Sequence, residues 1–381
     1  MAAALVLPGQ ARVMAASPFY LGADMSFANE MQDCGATFRY RGRLVDPIEL
    51  LKRKGGNLVR VRLWNNPTRT HYSNLADVER TIRRAKAAGL QVLLDFHYSD
   101  DWADGDKQYP PAAWAGLPTA DQARALHDYT RDVIDRLIKD GLAPALVQVG
   151  NEINPELLSG TKKDIDWTRN AALINAGLRA VREASAAARV PIRTMLHIAQ
   201  PENAEPWFAA ATVAGVTDYD VIGLSYYRKW STEPMSGLAN TIRRLKAHYR
   251  RDVVLVETAY PYSVAPTPGV NHLLGPDSLD PAYPATPAGQ ARYMVDITQR
   301  VIDAGGSGVV YWAPDWIPAA CTRGSQASSN WSNAAWFDRD HRWEALPVID
   351  FMRRASRRRA GSRQLSAKTP FAPLPVAQPS Y

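Results

Sequence analysis

Residues 75–98 read LADVERTIRRAKAAGLQVLLDFHY, and this stretch contains the unit from which we predict the fold. In Leu75–Ala88 the apolar residues recur three and four positions apart, which predicts an amphipathic helix. Gly89 follows, at a position where a left-handed residue commonly ends a helix. The segment Leu90–Phe96 is then almost continuously apolar, as expected of a strand that is covered on both faces. His97 brings a polar side chain to the carboxyl end of that strand.

The same alternation recurs along the chain. Eight short segments rich in β-branched or aromatic residues are predicted strands: Phe19–Asp24, Asn57–Trp64, Leu90–Phe96, Ala145–Gly150, Ile192–Ile198, Asp220–Tyr226, Val253–Glu257 and Gly308–Trp312. Amphipathic stretches between them are predicted helices, among them Leu75–Ala88, Asp121–Asp140, Trp167–Ala188, Gly237–Tyr249 and Pro287–Asp303. A chain of 381 residues has room for two domains. Eight such units nevertheless favour one α/β domain, a (β/α)8 TIM barrel with extended βα loops on its carboxyl-terminal face.

The excess positive charge of the chain is confined to one end. The net charge is +7, and the seven cationic residues from Arg353 onward, with no acidic residue among them, account for all of it. The neutral body argues against nucleic acid as a partner. No run of 18 apolar residues occurs, which excludes an integral membrane protein.

Composition also suggests the domain boundaries. Residues 18–353 are predicted to form the barrel. Residues 354–381, which are basic and rich in Pro, Ser and Ala, are predicted to form a disordered tail, or else a weak anchor to an anionic polymer or surface. Residues 1–17 are interpreted as a degraded leader, because Pro8 and Arg12 interrupt the apolar run and a charged start is missing.

Polar residues at the carboxyl ends of barrel strands are the candidates for function. Glu152 and Glu257 stand out, because each lies at the carboxyl end of an apolar predicted strand and therefore at the barrel mouth. Buried charges need partners, so a salt bridge that supports the barrel is one interpretation of each glutamate. The other is a reaction, since cleavage of a glycosidic bond needs one protonated and one ionised carboxyl group.

Several motifs at the strand ends resemble those of glycoside hydrolase family 53, the arabinogalactan endo-β-1,4-galactanases of clan A. The matching segments span about residues 20 to 350 and are Gly22–Ser26, Asn57–Pro67, Asp95–Asp104, Gln148–Ile153, Gly223–Tyr227 and Val256–Pro261. The resemblance implies a retaining (β/α)8 enzyme that cleaves β-1,4-galactosidic linkages inside galactan, or type I arabinogalactan.

The resemblance also implies roles for individual residues. Glu152, after an asparagine on the fourth strand, corresponds to the acid/base, and Glu257 on the seventh strand corresponds to the nucleophile. Retention then requires carboxyl groups about 5–5.5 Å apart and a covalent glycosyl-enzyme on Glu257. Three further roles are expected: Asn151 bonds the sugar 2-hydroxyl, Arg62 with Arg60 behind it keeps Glu257 ionised, and Tyr226 orients Glu257.

Aromatic platforms are expected as well, because sugar rings stack their C–H faces on flat apolar side chains. Trp312 is the predicted floor of the subsite for the cleaved sugar, and the outer platforms are predicted among Trp64, Trp102 and Trp230. Other candidates for sugar contacts are Asp24, His97 and His197, the two histidines having a buried hydrogen-bonding role as the alternative.

Two cysteines, Cys34 and Cys321, follow the first and last predicted strands, which become neighbours when a barrel closes, so a disulfide between them is expected. Such a bridge fits a secreted or periplasmic protein. We expect a monomer without a cofactor. Some relatives carry a structural calcium after the seventh strand, but the loop Pro261–Thr286 offers only Asp277 and Asp280 as acidic ligands, so none is expected.

The chain departs from the family pattern at the walls of the cleft. Asn154–Gly160, Arg228–Trp230 and Ala313 stand where the family has other residues. Two alternatives therefore stay open: a retaining clan A hydrolase of another β-linked polysaccharide, mannan or glucan, and a non-catalytic carbohydrate-binding barrel. A metal-dependent hydrolase is disfavoured, because the seven histidines show no ligand spacing.

Overall fold

A computed structural model of the protein describes residues 18–267, 270–322 and 329–353. The expected leader, 1–17, and the expected tail, 354–381, lie outside these residues. The strands that the structure describes are β1 (Tyr20–Asp24), β2 (Arg39–Tyr40), β3 (Arg43–Leu44), β4 (Leu58–Leu63), β5 (Gln91–Phe96), β6 (Leu146–Val149), β7 (Arg193–Ala199), β8 (Val221–Ser225), β9 (Asp252–Thr258), β10 (Gly308–Tyr311), β11 (Phe337–Asp338) and β12 (Glu344–Ala345). The helices are α1 (Ala28–Asp33), α2 (Pro47–Arg53), α3 (Leu75–Ala87), α4 (Thr119–Lys139), α5 (Trp167–Ala188), α6 (Pro201–Val213), α7 (Met235–Tyr249) and α8 (Pro287–Asp303).

Strand β1 and strands β4 to β10 form a closed barrel in which every neighbouring pair is parallel. The predicted (β/α)8 barrel is therefore confirmed, and each of the eight predicted strands ends within one residue of the observed bounds. The sequence analysis did not anticipate a small second sheet of two-residue strands, in the order β11-β12-β2-β3. None of the helices in the described residues is long and apolar enough to cross a membrane.

Side chains that cap the helices fix where several of them begin. Asp46, Asn74, Asp166 and Thr286 each accept a hydrogen bond from a backbone N–H in the first turn of α2, α3, α5 and α8, respectively. These bonds satisfy donors that have no partner inside the helix.

The alternation of side chains along the strands divides the barrel into layers. One set of residues points into the barrel and forms an apolar cluster with members from all eight strands: Tyr20, Leu58, Leu93, Leu146, Met195, Val221, Val254, Val256 and Val310. Their sequence neighbours point outward and pack against the helices. Because side chains alternate with a period of two, the next inward positions along β4, β5, β6 and β7 are Arg60, Asp95, Gln148 and His197. A polar layer therefore lies directly above an apolar one.

Strand β9 breaks this alternation at the catalytic candidate Glu257. Leu224 of β8 pairs with Leu255, but the next residue, Ser225, pairs with Glu257, so that Val256 is an extra residue in β9. A similar shift separates the pairs that β9 makes with β10. In a regular strand Glu257 would share the outward face of Val253 and Leu255. The bulge turns its carboxyl group into the barrel instead.

A disulfide joins Cys34, which follows α1, to Cys321 in the loop after β10, with the two Cα atoms 5.2 Å apart. The bridge links the segments that follow the first and last barrel strands, as the sequence analysis expected. Beside it, the backbone N–H of Ala320 donates to the carbonyl of Cys34.

We expect the double variant Cys34→Ser/Cys321→Ser to lose about 2–4 kcal/mol of unfolding free energy, because the bridge closes a loop of 287 residues in the unfolded chain. Guanidinium chloride unfolding measures the loss. The wild-type protein in the presence of a reductant serves as the control and should match the variant. Equal stability of the variant and the oxidised wild type would contradict the expectation.

Candidate active site

The guanidinium of Arg60 lies at the centre of the polar layer, and its side chain is 1% exposed. Its Nη1 contacts Asp24 Oδ2 at 2.9 Å and Glu257 Oε1 at 2.7 Å. Its Nη2 donates to Asp95 Oδ2 at 2.8 Å and to Asn151 Oδ1 at 2.7 Å, and its Nε donates to Gln148 Oε1 at 3.3 Å. The five N–H donors of arginine therefore face five acceptors. Burial lowers the pKa of Arg60, but the three carboxylates outweigh this effect and raise the pKa above its ordinary value.

Glu257 is 5% exposed and is held from two sides. Arg60 pairs with Oε1, and the hydroxyl of Tyr227 donates to Oε2 at 3.2 Å. The sequence analysis gave this orienting role to Tyr226, which was wrong by one residue: the Tyr226 hydroxyl donates to the backbone carbonyl of Glu233 instead.

The expectation that Arg62 is the main positive charge beside Glu257 is also wrong, because Arg60 makes the direct contact. Arg62 is buried among aromatic rings, with its guanidinium carbon 4.2 Å from the ring centre of Trp102, 4.5 Å from that of Phe27 and 4.8 Å from that of Trp64. Its Nε donates to Ser73. Arg62 therefore supports the aromatic wall of the site.

Glu152 follows β6 and is partly exposed. Its Oε1 accepts a 2.5 Å hydrogen bond from Ser225 Oγ, and its Oε2 accepts one from the backbone N–H of Gly105 at 3.2 Å. Behind Ser225, the ring of His197 lies 2.8 Å from the serine oxygen. His197 is fully buried. This agrees with the buried hydrogen-bonding alternative for this histidine.

The two glutamates have unequal electrostatic surroundings. Burial raises the pKa of Glu152, and the hydrogen bond from Ser225 partly opposes this. Burial also raises the pKa of Glu257, where the positive charge of Arg60 is the main opposing effect and the negative charge of Glu152 adds to the rise. Arg60 contacts Glu257 directly and does not contact Glu152, so the two carboxyl groups differ in their charged partner.

Asn151 and Asp24 take part in the network around Arg60. The Asn151 side chain accepts from Arg60 and donates to the carbonyl of Ala103 at 2.8 Å. Asp24 is 1% exposed, with Oδ2 on Arg60 and Oδ1 accepting from both the hydroxyl and the backbone N–H of Ser26. In this arrangement Asp24 is buried and holds the arginine in place, and its predicted contact with substrate stays a prediction.

His97 and Trp64 form a buried support. His97 is 3% exposed, with Nε2 3.1 Å from Asp95 Oδ2 and Nδ1 accepting from Trp64 Nε1 and from the backbone N–H of Ala103. Trp64 is 6% exposed and meets the ring of Trp102 edge-on, with ring centres 5.3 Å apart. Both side chains are buried supports in this structure, and their predicted roles as a sugar contact and a platform stay predictions.

A row of aromatic rings crosses the mouth of the barrel. Consecutive ring centres lie 6.1 Å apart from Trp102 to Trp312, 4.5 Å from Trp312 to Trp331, 5.7 Å from Trp331 to Tyr227 and 5.3 Å from Tyr227 to Trp230. Trp102 and Trp312 are partly exposed, and Trp230 is 44% exposed. These three have faces available for a ligand, and the two buried rings hold them in place.

Four non-glycine residues with a left-handed backbone lie just after barrel strands, at the edge that carries the glutamates. Left-handed φ angles occur at Tyr98 (50°), Glu152 (44°), Gln200 (64°) and Ala313 (50°), which follow β5, β6, β7 and β10. Residues other than glycine adopt this conformation only where the surrounding structure enforces it, often at functional sites.

Among residues 18–267, 270–322 and 329–353, no group of three or more His, Cys, Asp or Glu side chains is arranged to hold an ion. In the loop after β9, Asp277 pairs with Lys229 at 3.0 Å, and Asp280 accepts from the backbone N–H of Ala282. The two acidic residues considered for calcium are thus engaged within the protein.

The sequence analysis missed two residues that touch the glutamates. Tyr227 and Ser225 both lie in the quoted motif Gly223–Tyr227, but that motif does not reveal which side chains turn into the barrel. The alternation of side chains along β8 indicates that Ser225 points into the barrel, because Val221 is an inward residue and Ser225 lies four positions later.

Comparison with known proteins gives a consistent result. The sequence model of glycosyl hydrolase family 53 matches residues 20–352. The chain is 47% identical over 342 residues to an arabinogalactan endo-β-1,4-galactanase of Cellvibrio japonicus, covering 88% of this chain and 91% of that protein. It is 36% identical over 312 residues to an endo-β-1,4-galactanase of Bacillus subtilis, covering 79% and 71%.

Solved structures agree with the sequence comparison. The catalytic domain of a family 53 enzyme from Ignisphaera aggregans superposes with a TM-score of 0.80 at 29% identity, covering 88% of this chain and 96% of that one. A fungal β-1,4-galactanase superposes with a TM-score of 0.77 at 27% identity, covering 89% and 100%.

We expect Arg60→Met to lower the free energy of unfolding by about 3–5 kcal/mol at pH 7, because Asp24, Asp95 and Glu257 then stay buried without their cation. Without it, the carboxyl groups of Asp95 and Glu257 have pKa values above those in the unfolded chain, so their burial costs more stability as the pH rises. The deficit relative to wild type should therefore be smaller at pH 5 than at pH 7.

Urea unfolding at the two pH values measures this effect. The control is Arg182→Met, which removes a partly exposed arginine paired with Asp218 and Asp220 and should cost about 1 kcal/mol or less. A deficit for Arg60→Met no larger than that of the control would contradict the central role of Arg60.

Proposed function

The chain belongs to glycosyl hydrolase family 53, and on that premise we propose that it is a retaining endo-β-1,4-galactanase acting on the galactan chains of type I arabinogalactan. The observation that carries the proposal is the unequal pair of glutamates at the barrel mouth. Glu257 is paired with Arg60, whereas Glu152 is bound only by neutral donors, Ser225 and Gly105. One carboxyl is thus prepared to stay ionised and the other to carry a proton.

In the first half of the proposed reaction, Glu257 attacks the anomeric carbon of the bound galactosyl unit. The bond to the leaving oxygen breaks as Glu152 gives its proton to that oxygen, and a covalent galactosyl-enzyme forms on Glu257. Arg60 and Tyr227 keep the attacking carboxylate ionised and fix its orientation, since both contact its oxygens.

In the second half, the galactosyl-enzyme is hydrolysed. Esterification removes the negative charge of Glu257, which is one of the influences on the Glu152 proton, so the pKa of Glu152 falls. The hydrogen bonds from Ser225 and Gly105 favour the ionised form that results. Glu152 then removes a proton from a water molecule as the water oxygen attacks the anomeric carbon. The bond from that carbon to Glu257 breaks, and the sugar leaves with its original configuration.

The aromatic row supports cleavage inside a polymer. Tyr227, which contacts Glu257, lies within this row. Trp230 lies beyond it on one side, and Trp331 and then Trp312 lie on the other. Several rings beyond the reacting sugar suit a chain of several sugar units. We further propose that the enzyme works as an exported monomer, because both glutamates come from one chain and the Cys34–Cys321 disulfide suits an oxidising compartment.

The decisive experiment is incubation of the protein with linear β-1,4-galactan while reducing ends and product sizes are followed over time. We expect early release of oligosaccharides of mixed length. Parallel incubations with β-mannan and β-glucan give the specificity. Hydrolysis of either of these with none of galactan would overturn the proposed substrate, and inertness towards all three polymers would favour a binding role.

The two glutamate roles are separated by azide rescue on an aryl β-galactobioside. Glu257→Ala and Glu152→Ala should each lower hydrolysis by about a hundredfold or more while the fold is kept. Azide should then restore turnover, giving an α-galactosyl azide with Glu257→Ala and a β-galactosyl azide with Glu152→Ala, as nuclear magnetic resonance would determine. The reverse pattern of azide products would exchange the two roles.

A matched pair of variants tests which tyrosine serves the nucleophile. Tyr227→Phe removes the donor to Glu257 and should lower kcat on galactan about tenfold to a hundredfold, as expected for a hydrogen bond to a charged group. Tyr226→Phe removes a bond to a backbone carbonyl and should change kcat by less than about threefold. Equal effects of the two variants would contradict the orienting role of Tyr227.

A further inference from the structure

The β2–β3 hairpin and helix α2 carry a concentration of positive charge that the proposed reaction does not use. Residues 39–54, which comprise these elements, contain six cationic residues and two acidic ones. Residues 1–352 as a whole contain 38 of each sign, so this excess is local. A local excess of one sign attracts a partner of the other.

The ring of Tyr40 brings three of these cations together. The ammonium nitrogen of Lys54 lies 4.1 Å from the ring centre, and the guanidinium carbons of Arg41 and Arg53 lie 5.3 and 5.7 Å from it. Lys54 also donates to the Tyr40 hydroxyl at 2.9 Å. This hydrogen bond and the positive charges of Lys54 and Arg41 lower the pKa of Tyr40. Attraction to the ring thus offsets part of the repulsion between the cations.

The turn of the hairpin presents Arg41 without using its side chain. Arg41 and Gly42 have left-handed φ angles of 54° and 75°, as in a type I′ turn, where asparagine is the favoured first residue. The carboxylate of Glu344 accepts from the backbone N–H groups of both residues. The turn is therefore fixed through its backbone, and the guanidinium of Arg41 stays exposed.

Three exposed arginines of this region have no counter-charge. Asp350, the acidic side chain beside the cluster, pairs with Lys54 at 2.8 Å. In residues 18–267, 270–322 and 329–353, no acidic side chain lies within 4.0 Å of the guanidinium groups of Arg41, Arg43 or Arg53. An acidic ligand would supply the missing partners.

The basic end of the chain begins beside the same arginines. Arg353 Nη2 donates to the backbone carbonyl of Arg53 at 2.6 Å, and a side-chain carbon added at Gly55 would lie 3.6 Å from Arg353 Cγ. Residues 354–359 lie outside the described part of the chain and contain four arginines. No acidic residue follows them. The positive charge at the end of the chain therefore adjoins that of the hairpin.

This region lies away from the barrel mouth. Gly55 precedes β4 (Leu58–Leu63), so it lies at the amino ends of the parallel strands, whereas Glu152 and Glu257 lie at the carboxyl ends. A strand of six residues is about 20 Å long. A polymer bound near Gly55 would therefore leave the cleft open.

We propose that Arg41, Arg43 and Arg53 form an anchoring surface for an acidic polysaccharide whose sugar units carry carboxylate groups. The forked donors of a guanidinium match the two oxygens of a carboxylate. The choice of a polysaccharide rests on the proposed function, in which the protein acts on a carbohydrate polymer. Anchoring itself needs no turnover.

A lipid surface suits these residues less well. Binding at a membrane surface combines cations with an apolar face that enters the lipid. Within the hairpin, residues 39–44, Leu44 is the one large apolar side chain that is exposed. Anionic vesicles therefore serve as the comparison in the test.

The test measures how fluorescently labelled decagalacturonate, a linear chain of uronic acid units, binds to the full-length protein, with anisotropy as the readout. The surface variant is Arg41→Gln/Arg43→Gln/Arg53→Gln. The matched control removes three exposed arginines of α4, α5 and α7: Arg124→Gln/Arg179→Gln/Arg243→Gln. Phosphatidylglycerol vesicles and galactobiose are added as competitors in separate titrations.

We expect the surface variant to bind decagalacturonate about tenfold more weakly than wild type, and the control within about threefold of wild type. Raising sodium chloride from about 20 mM to about 300 mM should weaken wild-type binding, because the Debye length shortens. Hydrolysis of soluble galactan should stay within about twofold of wild type in both variants, since the exchanged side chains are exposed and far from the cleft.

Three results would overturn the proposal. Absence of wild-type binding, or equal affinities of wild type and surface variant, would show that the arginines bind no acidic polysaccharide. Displacement by galactobiose would place the ligand in the catalytic cleft. Tighter binding to the vesicles than to decagalacturonate would assign the surface to a membrane. The proposed function is judged separately, because a wild-type protein inert on galactan can still be measured for this binding.

Discussion

The buried charge of Arg60 is the constraint on which the rest of the site depends. A guanidinium taken out of water is stable only when its charge and its donors are all matched, and here five acceptors from four segments of the chain meet it. The three carboxylates among them exceed its charge by two. The surplus explains why neutral donors surround the cluster: Ser26 on Asp24, Gln148 on Asp95 and Tyr227 on Glu257. Moving one member would leave another without a partner, so the network as a whole fixes the position of Glu257, the candidate nucleophile.

The barrel separates stability from chemistry along the length of each strand. The lower inward positions are apolar and close-packed, whereas the next positions on the same strands carry the polar network. Above these, the chain turns into loops through strained residues such as Glu152, Gln200 and Ala313. The packed lower layer and the surrounding helices hold this strain in place. The loops above can therefore change without loss of the support beneath them.

Most of the fold was predictable because it is encoded in repeated local patterns. Apolar strands, amphipathic helices and glycines at helix ends each leave a signal in the sequence, and the eight predicted strands match the structure closely. The small sheet was not predictable, because strands of two residues show no alternation. Helix α6 was not among the helices named from the sequence; Pro206 lies inside it, and Ala204, Trp207, Phe208 and Ala211 form its buried stripe.

The site was predictable as a set of strand ends but not as a set of contacts. Arg60 and Arg62 both point inward, and only their depth in the barrel decides which one meets Glu257. Tyr226 and Tyr227 follow the end of β8, where the period of two no longer applies. His97 and Trp64 lie on the predicted face of the barrel, but sequence does not reveal how far the loops bury a strand end.

The extra residue in β9 decides which way the side chain of Glu257 faces. Were β9 to pair regularly with β8 and β10 at its present length, Val256 would lie opposite Ser225 and the carboxyl group of Glu257 would face the helices instead of Arg60. The composition of the strand would be unchanged, yet its functional group would be on the wrong side of the barrel wall. A strand one residue shorter, with Val256 deleted and no bulge, would keep the glutamate inward by alternation alone, so the bulge and the deletion compensate for each other in this segment.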